Sequence, residues 1–238
     1  MRALLFVVLI ACQSKPSPSQ GSGTGSATGS SGSATAPATT LEIALPKPSG
    51  KPPAKTTAPL DKATLARVAQ LTFPQFNREV TEFPANIAIR QRATLRPRMS
   101  VNVYVGPCTE ELKCLPMSLE AWTAAKAELQ PKYLEAELAE RPDTTFEIGA
   151  TTIGGAPAIY IYQAAQFFGR DERGNPVGSY SHAYSLHYND GINSLRVTVN
   201  FADDARDSLA EMTRALPREF LERVAVAFLD AYGQAWAP

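Results

Sequence analysis

The chain is poor in the residues that usually carry chemistry. Of its 238 residues only 3 are Cys, 2 are His and 2 are Trp. The spacings of a Walker loop, of an H-E-x-x-H helix and of a G-x-S-x-G elbow are all missing. No apolar run approaches the roughly 20 residues that a membrane-spanning helix needs. There is no charge excess either: Lys plus Arg and Asp plus Glu are 23 each. The balance is uneven along the chain, however. Before residue 60 the positive side chains are Arg2, Lys15, Lys47, Lys51 and Lys55, against the single acid Glu42. That leaves 18 positive and 22 negative side chains from Leu60 onward, a net of −4. A mildly acidic body argues against non-specific binding to nucleic acid. The 179 residues from Leu60 to Pro238 suffice for one core.

What is present begins with an address. Arg2 precedes an unbroken apolar stretch, Ala3 to Leu9, too short to span a bilayer and ordered like a secretory signal. The stretch ends in Leu9-Ile10-Ala11-Cys12, with a polar Ser/Gly-rich tail after it. This tetrad resembles the lipobox of bacterial lipoproteins. The resemblance implies cleavage before Cys12, lipid on that cysteine, and a membrane anchor at the bacterial cell envelope. Several acyl chains hold stably where one holds only marginally. Gln13 rather than Asp after the cysteine resembles lipoproteins sorted to the outer membrane, periplasm-facing or surface-exposed. The signal is short for that class, and the competing reading is an ordinary signal peptide with an incidental Cys12.

Residues 1–11 are thus expected to be signal peptide, 12–59 lipidated cysteine and tether, and 60–238 one globular domain. Gln20 to Thr40 is almost only Gly, Ser, Thr, Ala and Pro. Such a composition cannot bury enough apolar surface to offset its conformational entropy, so disorder is expected. Pro46, Pro48, Pro52 and Pro53 stiffen the next piece toward polyproline II. Leu41 to Leu45 is its one apolar island, either a short strand that docks on the domain or nothing structural. As a flexible coil, the stretch from 13 to 58 reaches about 40 Å.

Within the domain, Asp61 caps a short helix with Leu65, Val68 and Ala69 on its apolar face. Ile87 and Ile89, then Met99, Val101, Val103 and Val105, alternate with other partners as half-buried strands do. Ser118 caps a helix expected to run from Leu119 to Leu129, and Pro131 kinks it or opens a second segment ending at Glu140. Strands return around Phe146 and Ile148, after a Gly154-Gly155 turn, on both sides of a charged turn from Gly169 to Gly178, and after Asn189-Asp190-Gly191, where Leu195, Val197, Val199 and Phe201 face inward with Arg196, Thr198 and Asn200 outside. Asp204 to Ala215 is a candidate helix. Leu221, Val224, Ala225, Phe228, Leu229 and Tyr232 then make the strongest helical stripe in the chain. The expected class is α+β, an antiparallel sheet with helices packed on its faces. From Gly155 onward the layout resembles the PsbP-like α/β/α sandwich, a fold that implies no single activity.

Cys108 and Cys114 bracket five residues; in an exported chain they read as a structural disulfide contributing about 2 kcal/mol. His182 and His187 are five apart on one strand, which puts them on opposite faces and prevents a shared metal ion. Neither Ser179 nor Ser181 makes a convincing nucleophile for His182, which reads as a packed sheet histidine. Asp203, Asp204, Asp207 and Glu211 lack the spacing of a calcium loop and suit a helix start. Tyr160, Tyr162, Tyr180, Tyr184 and Tyr188 read as cross-strand packing sooner than as a ligand groove. Arg90 and Arg92 share a strand face, solvated at a sheet edge or docking an anionic headgroup, glycan or acidic protein.

No cofactor, metal or catalytic residue is expected. The function so indicated is a non-catalytic binding or interaction module tethered to the membrane. Its contacts are expected at Arg90, Arg92, Arg170, Asp171, Glu172 and Arg173, with an envelope protein or glycan as partner. The alternatives are an envelope hydrolase using His182, or a purely structural lipoprotein.

Overall fold

Period-two alternation in the sequence becomes a single sheet. The computed structural model describes residues 43–95, 98–108, 114–130, 132–140, 144–170, 176–203 and 208–236. Among them the elements are α1 (Lys62–Ala69), β1 (Phe76–Glu82), β2 (Ile87–Ala93), β3 (Met99–Pro107), α2 (Leu119–Ala124), α3 (Lys126–Leu129), α4 (Lys132–Glu140), β4 (Thr145–Ile153), β5 (Ala156–Arg170), β6 (Pro176–Asn189), β7 (Asn193–Asp203), α5 (Leu209–Ala215) and α6 (Arg218–Ala235). All the strands pair antiparallel in the order β1-β2-β3-β7-β6-β5-β4. The fold is α+β, as the patterning implies.

One face of this sheet carries the core. Ile87 and Ile89 of β2, Met99 to Val105 at alternate positions of β3, Leu195 to Phe201 of β7 and Tyr184 to Tyr188 of β6 all point to it and are buried. Against them lies α6, whose whole expected stripe from Leu221 to Tyr232 is buried. The Phe228 ring packs 4.4 Å from Phe73 and 5.0 Å from Phe76. Flanking α6 are α1, capped by Asp61 accepting from the Thr64 N–H at 2.7 Å, and α5, capped by Ser208. The opposite face is covered only in part: α2 and α4 lie against β4 and β5, and the Trp122 ring meets His187 of β6 at 4.6 Å.

Three expectations are corrected. The helix expected over Leu119–Leu129 is interrupted at Ala125. Only Trp122 is buried in α2 and nothing in α3, so too little packing holds a straight helix there. Strand β1 was not foreseen, because Asn77-Arg78-Glu79-Val80-Thr81-Glu82 has no apolar alternation and is exposed throughout. Its hydrogen bonds to β2, in register from Phe76↔Ala93 to Glu82↔Ile87, make it a strand.

The third correction concerns the tether, which was expected to run free to residue 59. Residues from Ile43 onward instead form a strap on the domain. Ile43 is itself 5% exposed. Ser49 donates its N–H and its hydroxyl to the two carboxylate oxygens of Asp230, at 2.8 and 2.7 Å. Ala54 receives the Trp236 indole N–H at 2.8 Å and donates to the Gly233 carbonyl. Thr56 donates twice to Asp190, and buried Asn193 holds Thr56, Ala58 and Leu60. A side chain at Gly154 would collide with the backbone of Lys51, so that turn, at φ +55°, is kept clear for the strap. The strap's prolines cannot extend a helix or a sheet interior, but an irregular strip served by side-chain partners accepts them.

Cys108 and Cys114 stand in disulfide geometry, their Cα atoms 5.4 Å apart, and Cys108 N–H also donates to the Ile192 carbonyl. The expected signal, Cys12, and the tether up to residue 42 lie outside the described residues. So do Asp171, Glu172 and Arg173, together with the side chain of Arg170.

Candidate functional site

Among the described residues, the part of the second face that no helix covers spans β1, β2, β3 and β7. Because successive side chains alternate across a strand, its residues are those between the core positions. The register lays them in rows across the sheet: Asn77, Arg92, Ser100 and Asn200; then Glu79, Arg90, Asn102 and Thr198; then Thr81, Ala88, Tyr104 and Arg196. Nearly every group in this grid is a donor, an acceptor or both. Arg90 Nε donates to Asn102 Oδ1 at 3.2 Å, and Arg92 Nε lies 3.4 Å from Glu79 Oε1. The Arg196 guanidinium lies over the Tyr104 ring, 5.4 Å from its centroid, and Tyr104 donates its hydroxyl to Asn86 at 3.1 Å. Beyond them the Thr198 and Ser185 hydroxyls bond to each other at 2.9 Å.

Among the described residues this surface carries three arginines, Arg90, Arg92 and Arg196, against one carboxylate, Glu79, although the domain as a whole is net negative. Planar guanidinium groups pair with carboxylate, sulfate or phosphate oxygens, and the amides and hydroxyls between them suit a flat polar ligand. Alternation alone identified Arg90 and Arg92 as solvent-facing, and placed Arg196, Thr198 and Asn200 on the outside of their own strand. It did not bring the two sets together. That depends on β7 pairing with β3 instead of with an unrelated edge, and no local signal in the sequence encodes it.

The histidines occupy the two faces that their spacing requires. His182 is fully buried on the helix-covered side, its Nε2 2.8 Å from the Tyr162 hydroxyl. Burial lowers its pKa to about 4, and the nearby Arg218 acts in the same direction. His187 lies on the other side beneath Trp122, and its burial too pushes the pKa well down. A ring sealed in the core is out of reach of a substrate, so His182 does not fit the general-base role that the hydrolase reading gave it. The tyrosines pack likewise: Tyr184 and Tyr188 are buried, and Tyr160 stacks on Tyr184 at 5.4 Å.

A second polar cluster closes the far edge of the sheet. Arg218, at the start of α6, grips Glu147 of β4 with two hydrogen bonds of 2.8 and 2.9 Å. Its guanidinium lies 4.5 Å from the Tyr162 ring centroid, and Tyr160 donates to the same carboxylate. These contacts, Arg218 first, hold the Glu147 carboxyl below its ordinary value. Gly149 leaves the space the Tyr160 ring fills. Arg218 and Tyr160 both spend hydrogen bonds on Glu147, so the cluster reads as a clasp between α6 and β4. Among the described residues no His, Cys, Asp or Glu group is placed to hold a metal ion, and no helix is long and apolar enough to cross a membrane.

No protein-family model matches the chain, and no curated protein is significantly similar to it.

Proposed function

We propose that this chain is a bacterial envelope lipoprotein, anchored through Cys12, whose domain serves as a non-catalytic binding module for an anionic partner. The carrying observation is the clustering of Arg90, Arg92 and Arg196 on the open sheet face of a body that is net negative. The Leu9-Ile10-Ala11-Cys12 tetrad and the polar segment after it support the anchor. The polar composition of residues 13–42, rich in Gly, Ser, Thr, Ala and Pro, suits a tether. Such a tether keeps the domain near its membrane and raises the effective concentration of a partner there. The layering of the sheet between α1, α5, α6 and the α2–α4 group is in keeping with an α/β/α sandwich. The charged turn of Arg170, Asp171, Glu172 and Arg173 is a second contact candidate at the end of the β5–β6 ribbon.

In-cell crosslinking of the tagged chain, followed by affinity capture and mass spectrometry, tests this. The wild type should retain a partner that the Arg90→Glu/Arg92→Glu/Arg196→Glu variant loses. Equal capture by both forms overturns the role of the face. The anchor is tested separately, by intact mass at Cys12 and by release of the Cys12→Ser form from membranes. An unmodified Met1 terminus would overturn the compartment argument.

A further inference from the structure

The two edges of the sheet are built differently. At one edge, β4 lies under α2 and α4 and is clasped by Arg218. At the other, β1 has no neighbouring strand on its outer side among the described residues, and every residue after Phe76 is exposed. Edge strands are ordinarily blunted by a proline, a bulge, charged side chains or a cover, because an open row of N–H and C=O groups recruits another strand; of these β1 has only the charges of Arg78, Glu79 and Glu82. Strand β1 has no proline, and its pairing to β2 runs unbroken over seven residues. Two of the exposed large apolar side chains, Val80 and Phe83, stand at this edge, 36% and 47% exposed.

The charges along β1 are self-complementary. Placing a second copy antiparallel against this edge, with the dyad perpendicular to the sheet, keeps the helix layers of both copies on one side. That symmetry requires opposed residues to share parity, since even-numbered positions of β1 point to the helix side. Centring the dyad on Val80 puts Val80 against Val80, Arg78 against Glu82 and Glu79 against Thr81. Moving the centre to Glu79 sets two glutamates face to face. Moving it to Thr81 loses the opposition of Arg78 and Glu82. Only the Val80 register pairs opposite charges twice and removes an exposed valine from water.

We infer that β1 docks a second copy of this chain through antiparallel edge pairing centred on Val80. The occupant is the chain itself, because the complementarity is between β1 and β1. The pairing joins two sheets into one and lays the two arginine faces side by side, doubling the surface offered to an anionic ligand. It does not depend on the lipid anchor, so it stands or falls separately from the lipoprotein reading.

The test uses the purified full chain with single cysteines introduced at exposed β1 positions, mild oxidation and non-reducing electrophoresis. Opposed residues in an antiparallel pair have Cα atoms about 4.5–5.5 Å apart, within disulfide reach. Val80→Cys is expected to crosslink into dimers, and Glu79→Cys, whose own copy is out of register, at least about tenfold less. Glu82→Arg opposes like charges at both ends of the pairing and should lower the dimer fraction about tenfold. The swap Arg78→Glu/Glu82→Arg should restore it, although it gives up the 2.6 Å bond from Arg78 to the Ala69 carbonyl. A monomeric mass for the wild type by light scattering, or equal crosslinking at 79 and 80, overturns the inference. Melting curves matching the wild type for Val80→Cys and Glu82→Arg establish that any loss is one of association.

Discussion

The row Val105, Leu195 and Tyr188 and the row Tyr104, Arg196 and His187 cross the same three strands one residue apart. The first is closed under α6 and belongs to the core. The second starts at an aromatic-capped arginine open to water and ends beneath Trp122. A single-residue offset along a strand separates a surface that holds the molecule together from one that is free to recognise something else. The covered face tolerates little change in volume, since packed interiors resist both cavities and overfilling. The open face can change its charge with little effect on the fold. That independence is what a binding module needs, and it can be tested from either side.

The largest effect is expected on the covered face. Phe228→Ala, in the middle of the α6 stripe and fully buried, should cost about 3–5 kcal/mol in urea unfolding. A loss below about 1 kcal/mol would mean that α6 does not carry the core.

Next comes acid. The folded pKa of His182, about 4, lies below the ordinary histidine value of 6.5, so the unfolded chain takes up the proton first. Stability contributed by the neutral ring should therefore be complete above pH 6.5, fall as the pH drops from there toward 4, and level off below. The loss is at most about 3 kcal/mol. The urea midpoint of His182→Gln should fall less steeply than that of the wild type over this window. Parallel slopes would place the acid sensitivity elsewhere, with His187 as the first alternative.

A smaller effect is expected at the strap. Ser49→Ala removes one of the two hydrogen bonds Ser49 makes to the 4%-exposed Asp230, at about 1–2 kcal/mol. It should also raise the rate of proteolysis between residues 43 and 56. An unchanged cleavage rate would show that the strap is held without that bond.

The smallest stability effect belongs to the open face. Arg90→Ala/Arg92→Ala should stay within about 0.5 kcal/mol of the wild type, while partner capture falls. If this pair destabilised the fold as much as Phe228→Ala, the division between the faces would be lost.

Particular elements show how much of this was legible beforehand. The alternation at 99–105 and 195–201, the stripe from Leu221 to Tyr232, and the caps Asp61 and Ser118 are local patterns, and each reappears in the fold as read. Opposite faces for His182 and His187 followed from parity alone. Strand β1 and the strap beyond the island at 41–45 were not legible, because neither has an apolar periodicity of its own. One is a strand because β2 offers it hydrogen bonds. The other is ordered because Asp230, Asp190, Asn193 and Trp236, far away in the chain, meet its backbone. Of the candidate site, Arg90 and Arg92 were readable as a pair, but the company of Arg196 was not.

What the sequence determined by itself is the set of elements and the inward side of each, because period and capping are properties of neighbouring residues. The tertiary structure alone decided which strands lie side by side, which part of the second face the described helices cover and how the strap from Ile43 lies on the domain. Those choices depend on contacts between residues a hundred or more positions apart, such as Met99 with Phe201 or Ser49 with Asp230. Their free energy exists only once the layers have closed, and a local pattern carries no record of it.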